Sequence, residues 1–391
     1  MFSRLSAASL AFAATTGILS LACSGRAQAS CVWSVVPSVN AVTDGNRLYG
    51  VSAASPLDAW AVGVDVRGGA NDTLAERWDG KRWSLATTPN GAGNDSELQA
   101  VKTLAPNNAW AVGYYYKAAA GIYQTLIERW NGSAWAIVPS PTAGKFGGAL
   151  LGVDDVSAND IWAGGETFSS RNGNTVTLIE HWDGKRWSIV PSPNRTAIEN
   201  NLGNVSFVNA KDVWMGGAFS STAVGIHQTL AELWNGNAWS IVPTPNVNTS
   251  SNNINAIAAL SSTSVFGTGD YYNPNLRAFR TLAEHFNGKT WALQTSANEG
   301  NYQTLLSGIA GVSPTEVISV GSYQQGAVSR TFAMLWNGGG WSVTITPNVT
   351  VNGNYLDGAS KIPTTADVWA VGGDENANGT IHQTLIERYH C

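Results

Sequence analysis

The feature that most constrains this chain is a period. Aligning the element "WAVG" places Trp60, Trp110, Trp162, Trp214, Phe266, Ile318 and Trp369 at intervals of 50 to 52 residues. A repeat of that length running through the chain marks four-stranded blades set radially around an axis. Each unit divides into four runs, typified by "LYGVSAA" (A), "DAWAVGV" (B), "TLAERWD" (C) and "RWSLATTP" (D). Trp, Val, Ile and Thr fill the runs, while Gly, Asn, Asp and Pro bound them, as strands require. Between C and D stand Asp79-Gly80, Asn131-Gly132, Asp183-Gly184, Asn235-Gly236, Asn287-Gly288 and Asn337-Gly338. Such pairs accept positive φ and favour tight hairpins. The expected fold is all-β: a seven-bladed β-propeller of four-stranded antiparallel blades, formed as one domain by residues 30–391.

Six units are complete, but the seventh stops after strand C at "TLIERYHC". Its missing strand is "CVWSVVPS" near the other end, where Trp33 takes the slot of Trp83, Trp135, Trp187, Trp239, Trp291 and Trp341. Pairing the first strand with the last closes the ring and removes both free sheet edges. A closed ring needs no partner strand, so a monomer is expected. The same alignment puts Cys391 in the slot of Gly80 and Cys31 in that of Lys81. Positions joined by a peptide bond in other blades are about 3.8 Å apart, so a small relaxation reaches disulfide distance.

Residues 1–29 read as an export signal: Arg4, the apolar run "LSAASLAFAATTGILSLA", then "AQA" before a mature start at Ser30. A competing reading anchors lipid on Cys23, although Ser20 stands where that pattern wants a large aliphatic residue. Export leaves two cysteines, Cys31 and Cys391, which in an oxidising compartment read as one disulfide. No later apolar run reaches the roughly 20 residues of a membrane span. Losing Arg4 and Arg26 leaves 20 basic against 27 acidic side chains with no basic cluster, which argues against nucleic acid. The expected location is secreted or periplasmic.

The order "VWAVGG", "TLIERW", tight turn and second Trp resembles the kelch repeat. The double glycine of that repeat survives in "AGG" (Ala163–Gly165), "MGG" (Met215–Gly217) and "VGG" (Val371–Gly373). The chain also looks like Trp-rich secreted bacterial propellers. Kelch-like folds host ligand binders and oxidases alike, so the resemblance implies shape rather than chemistry.

Seventeen tryptophans suggest a sugar-stacking surface, but every one falls in a strand B, C or D slot. Rings at fixed slots fill the space between blades. Glu76, Glu128, Glu180, Glu232, Glu284 and Glu387 recur in strand C. Six equivalent carboxyls cannot all be catalytic, so a paired or hydrogen-bonded role between blades is expected. His181 and His285 take an Arg slot, and His227 and His382 take the slot of Tyr123; packing is the simpler role for all four. Asn40, Asn90, Asn194, Asn246, Asn298 and Asn348 recur after strand D and read as turn formers.

Function is expected on the face bearing the B-to-C and D-to-A connections, which vary, while the A-to-B and C-to-D turns are uniform. That face carries Tyr114, Tyr115, Tyr116, Tyr271, Tyr272 and Tyr323 as candidate ligand-binding residues; the alternative is that they merely extend strand B. The preferred reading is a secreted module binding a glycan or an extracellular protein. One alternative is a glycan-active enzyme, a polysaccharide lyase or hydrolase, using a Tyr with His227 and Arg277. Another is a structural surface protein. "DENANG" matches the start of a calcium loop through Asp374, Asn376 and Asn378, but Leu385 stands where the closing Glu belongs. Calcium is therefore a weak candidate, and no other cofactor is expected.

Overall fold

The structure is a computed structural model, which describes residues 31–92, 94–170, 173–220, 225–300, 302–376 and 382–391. The proposed export signal and Cys23 lie outside them. Among the described residues are seven sheets, each of four strands. Within each blade the strands follow A, B, C and D from the channel outward, all antiparallel, and each strand A packs beside the strand A of the neighbouring blades. No helix among the described residues is long and apolar enough to cross a membrane.

The ring closes as the spacing required. Val32–Val35 pairs antiparallel with His382–His390, with Trp33 opposite Tyr389, and so supplies strand D of blade 7. Cys31 and Cys391 form a disulfide with a Cα separation of 4.1 Å, close to the distance across the peptide bond that it replaces. The glycines of the C-to-D turns, Gly80 to Gly338, take φ between 88° and 98°. In the first of these turns the Asp79 carboxylate accepts from the Lys81 and Arg82 amides at 2.8 and 2.9 Å.

The tryptophans form wedges between blades. Trp60 on strand B of blade 1 meets Trp130 and Trp135 of blade 2, both at 4.9 Å between ring centroids. Trp369 of blade 7 meets Trp78 and Trp83 of blade 1 at 5.1 and 5.3 Å. Trp110, Trp162, Trp214 and Phe266 repeat the arrangement, and Ile318 closes the series against Trp33 and Tyr389. A cation or imidazole caps most wedges: Arg77 lies over Trp60 and Trp130, and His181 stacks on Trp162 at 4.1 Å. His285 likewise stacks on Phe266.

The repeated Asn slot is a latch. Asn40, Asn90, Asn194, Asn246, Asn298 and Asn348 each accept the backbone N–H of the strand C threonine, at 2.8 to 3.0 Å. These amides are thereby engaged in joining the D-to-A corner to strand C. The six strand C glutamates are fully buried. Their partners among the described residues are hydroxyls or amides rather than cations: Ser140 donates to Glu180, and the Val39 amide donates to Glu76. Burial pushes Glu76 up to about 7 and Glu180, Glu232 and Glu284 up to about 8. It holds Glu128 and Glu387 well above the usual carboxylate range.

Candidate functional site

Every strand A breaks register at the same place. The shift falls between Leu48 and Gly50 in blade 1 and recurs at Leu98/Ala100, Leu150/Gly152, Leu202/Asn204, Ile254/Ala256, Leu306/Gly308 and Leu356/Gly358. A bulge leaves one residue unpaired and re-aims its side chain. The residues so released are Tyr49, Gln99, Leu151, Gly203, Asn255, Ser307 and Asp357. The residue before the bulge is Leu or Ile throughout and fully or almost fully buried, whereas the bulged residue differs in every blade. Tyr49, Gln99, Leu151, Ser307 and Asp357 line a channel cavity of about 540 Å³ enclosed by all seven strands A. A repeated backbone device thus presents blade-specific chemistry to one mouth.

Two polar arcs flank that mouth. On one side Arg47 makes a two-point bond to Asp357, at 2.8 Å from both Nε and Nη2, and lies 5.4 and 5.6 Å from the rings of Tyr49 and Tyr355. The Tyr355 hydroxyl donates to Glu375 at 2.9 Å. The arc continues to Glu97, which accepts from Tyr114, Asn71 and Gln99. Burial, reinforced by the Glu97 charge, pushes Tyr49 up to about 12 and raises Tyr114 further, so both phenols stay protonated. On the other side the His227 ring reaches Glu199 through Nε2 and Asn253 through Nδ1, each at 3.2 Å. Asn253 and Asn255 donate to Asp270 at 3.1 and 2.7 Å.

Deeper in the channel Lys102 bridges Asp154 and Asp155 at 2.6 and 3.2 Å. Beside the channel, and sharing Ser307 and Asp357 with it, blades 6, 7 and 1 border a side cavity of about 220 Å³.

The candidate tyrosines all lie in strand B. Tyr114, Tyr115 and Tyr116 belong to Asn108–Lys117, Tyr271 and Tyr272 to Ser264–Asn273, and Tyr323 to Glu316–Gln325. The B-to-C connections are shorter than the sequence suggests, because strands B and C run on as hairpins; only Gly68 and Gly69 separate them in blade 1. Within the hairpins the rings pack on one another: Tyr114 and Tyr116 flank Tyr123 at 5.4 and 5.2 Å, and Tyr272 meets Phe279 at 5.4 Å. Tyr323 alone of the six borders the side cavity. Arg277 sits at the exposed tip of the blade 5 hairpin with φ of 52°, while His227 opens strand C of blade 4 within the polar arc.

Asp374 is buried, which pushes it up to about 6, and the Asn376 carbonyl accepts from Asn352. Asn378 lies outside the described residues. Among the described residues no group of three or more His, Cys, Asp or Glu is placed to hold a metal ion. The bulged ring was missed at the sequence level, yet its signal is there: one variable residue after the strand A Leu or Ile, in every copy.

No family profile and no curated protein matches the chain in sequence. Solved structures match its shape. The structure described as "YCF48 bound to D1 peptide" has 13% identity and a TM-score of 0.54, covering 92% of this chain and 97% of that one. An ulvan lyase of polysaccharide lyase family PL25, bound to a GlcA and sulfated rhamnose ligand, has 9% identity and a TM-score of 0.54 over 88% and 94% of the two chains. A GH74 xyloglucanase from Xanthomonas campestris has 17% identity and a TM-score of 0.53, covering 90% of this chain and 55% of that one. At these identities the likeness concerns the fold.

Proposed function

We propose that this chain is an exported binding module that takes a glycan at the mouth bearing the bulged ring. One observation carries the reading: a bulge repeated in all seven blades delivers five different residues, Tyr49, Gln99, Leu151, Ser307 and Asp357, to a single cavity, beside half-buried phenols and amides. Uniform scaffold with variation confined to one mouth is how a rigid fold presents specificity. Tyr with Asn, Gln and Arg offers flat apolar faces and hydrogen bonds together, which suits sugar rings. Export through residues 1–29, with Ser30 as the mature start, accords with the disulfide, since such bonds persist in oxidising compartments. An extracellular protein remains the other partner class for the same face.

A glycan array probed with the purified mature protein tests the reading. Saturable binding without turnover supports it, and binding of extracellular proteins alone would move the ligand to that class. Silence toward both would leave a structural surface protein.

A second reading has its own observation. His227 beside Glu199 is the pairing of a general base with the group that orients it, and two propellers of similar shape act on glycans. A lyase or hydrolase predicts product release from a bound polysaccharide, abolished by His227→Ala. Arg277, at a hairpin tip, contributes only if that hairpin folds over the mouth.

A further inference from the structure

The side cavity between blades 6, 7 and 1 is small, at about 220 Å³. That is below the roughly 300–1,000 Å³ of sites for drug-sized ligands and close to the volume of about seven liquid waters. It has room for one sugar ring and little more.

Its chemistry is unspent. The side chains of Gln303, Ser307, Ser322 and Gln324 line it half-buried, and none is hydrogen-bonded to another described residue; Gln303 and Gln324 are joined only through their backbones, at 2.8 Å. This contrasts with the rest of the face, where the repeated asparagines are consumed by strand C and His227 by Glu199 and Asn253. Half-buried amides and hydroxyls without partners among the described residues form a ready hydrogen-bonding surface whose specificity comes from the cost of leaving them unmatched. Two phenol rings complete the walls: Tyr323, held edge-on to Phe332, and Tyr355.

The charge at the cavity is closed. The Arg47 guanidinium is engaged at two points by Asp357, and Glu375 holds the Tyr355 hydroxyl. The nearby Arg330 donates to the Thr350 carbonyl at 2.9 Å and does not line the cavity. Asp357 neutralises the Arg47 charge, so a carboxylate or sulfate entering here would meet no uncompensated cation. Each Asp357 oxygen, in contrast, keeps a lone pair that can accept from a sugar hydroxyl.

We propose that this cavity is the specificity subsite for a single uncharged sugar residue, held against Tyr323 and Tyr355 and hydrogen-bonded by Gln303, Ser322 and Asp357. The inference rests on the glycan reading and sharpens it, since it assigns the ligand's charge class and the blades that read it.

The test is saturation-transfer NMR and calorimetry on the mature protein with glucose, galactose, mannose and rhamnose, set against glucuronate, galacturonate and a sulfated hexose. Neutral sugars are expected to bind at about millimolar strength, the scale for a ligand of this size. The double variant Gln303→Ala/Ser322→Ala, checked for folding by circular dichroism, should weaken that binding about tenfold. Lys211→Ala, exposed in the A-to-B turn on the opposite face, should leave it unchanged. Asp357→Asn frees the Arg47 charge and should raise uronate affinity to at least that of the neutral sugar. A native preference for uronate or sulfate overturns the charge assignment. Neutral binding unmoved by the double variant overturns the location while leaving the glycan reading in place. No binding to any glycan, on the array or in solution, overturns both.

Discussion

Trp33 stands directly opposite Tyr389 in a strand pair, their ring centroids 5.3 Å apart, so the first described strand of the chain and the last share one sheet. The disulfide between Cys31 and Cys391 lies at the end of that pair and spans 360 residues. Cys391→Ser, or reduction, is expected to lower stability by about 6 kcal/mol if chain entropy alone sets the effect. Thermal unfolding with and without reductant reads it. An unchanged melting temperature would mean that strand pairing alone holds the seam.

The wedge tryptophans should dominate stability. Trp110 is fully buried between Trp182 and Trp187, so Trp110→Ala is expected to cost about 3 to 5 kcal/mol. Tyr302→Ala, at a site 56% exposed, should change stability by at most about 0.5 kcal/mol. Denaturant titration of both variants makes the comparison, and equal losses would argue that the wedges are not the principal packing element.

The buried glutamates make the fold acid-tolerant. Their folded pKa values lie above the unfolded value, near 7 for Glu76 and near 8 for Glu180, Glu232 and Glu284. The folded state therefore binds more protons than the unfolded chain between about pH 4.5 and 8. Stability from these groups is complete below the unfolded value and is lost as pH rises through 7 to 8. Scanning calorimetry from pH 5 to 9 should show a falling melting temperature, and Glu284→Gln should flatten the fall. A melting temperature that rises over this range would contradict neutral carboxyls at these sites.

Asn246 distinguishes a latch from a ligand contact. Its side chain accepts both the amide and the hydroxyl of Thr229. Asn246→Ala should lower stability by about 1 to 3 kcal/mol by stranding the Thr229 N–H, while leaving glycan affinity unchanged. A selective loss of affinity at unchanged stability would return the amide to the binding surface.

Much of the fold was legible because each blade is a local object. Trp60 to Trp369 mark strand B, the Asp-Gly and Asn-Gly pairs mark one hairpin, and the half unit at "TLIERYHC" can be completed only by "CVWSVVPS". The role of the repeated asparagines was less legible: Asn246 looks like any turn residue until Thr229 is seen to donate to it. For the tyrosines the sequence leaves loop surface and an extended strand B both open, because a hairpin that outruns its repeat carries no repeat signal; the structure has the extended strand. Tyr116 and Tyr123 settle there as neighbours in a strand pair, with Tyr115 on the opposite side beneath Gly91.

The sequence by itself determined the number of blades, the closing strand and the disulfide, since these follow from period and alignment alone. Only the tertiary structure decided which residues face the mouth. A bulge reverses side-chain direction after Leu306 or Leu356, and whether one forms depends on the strand paired alongside. The side cavity likewise joins Arg47 to Ser307 and Asp357, residues far apart along the chain, and no spacing rule brings them together. Ring closure does, by setting the first blade beside the seventh.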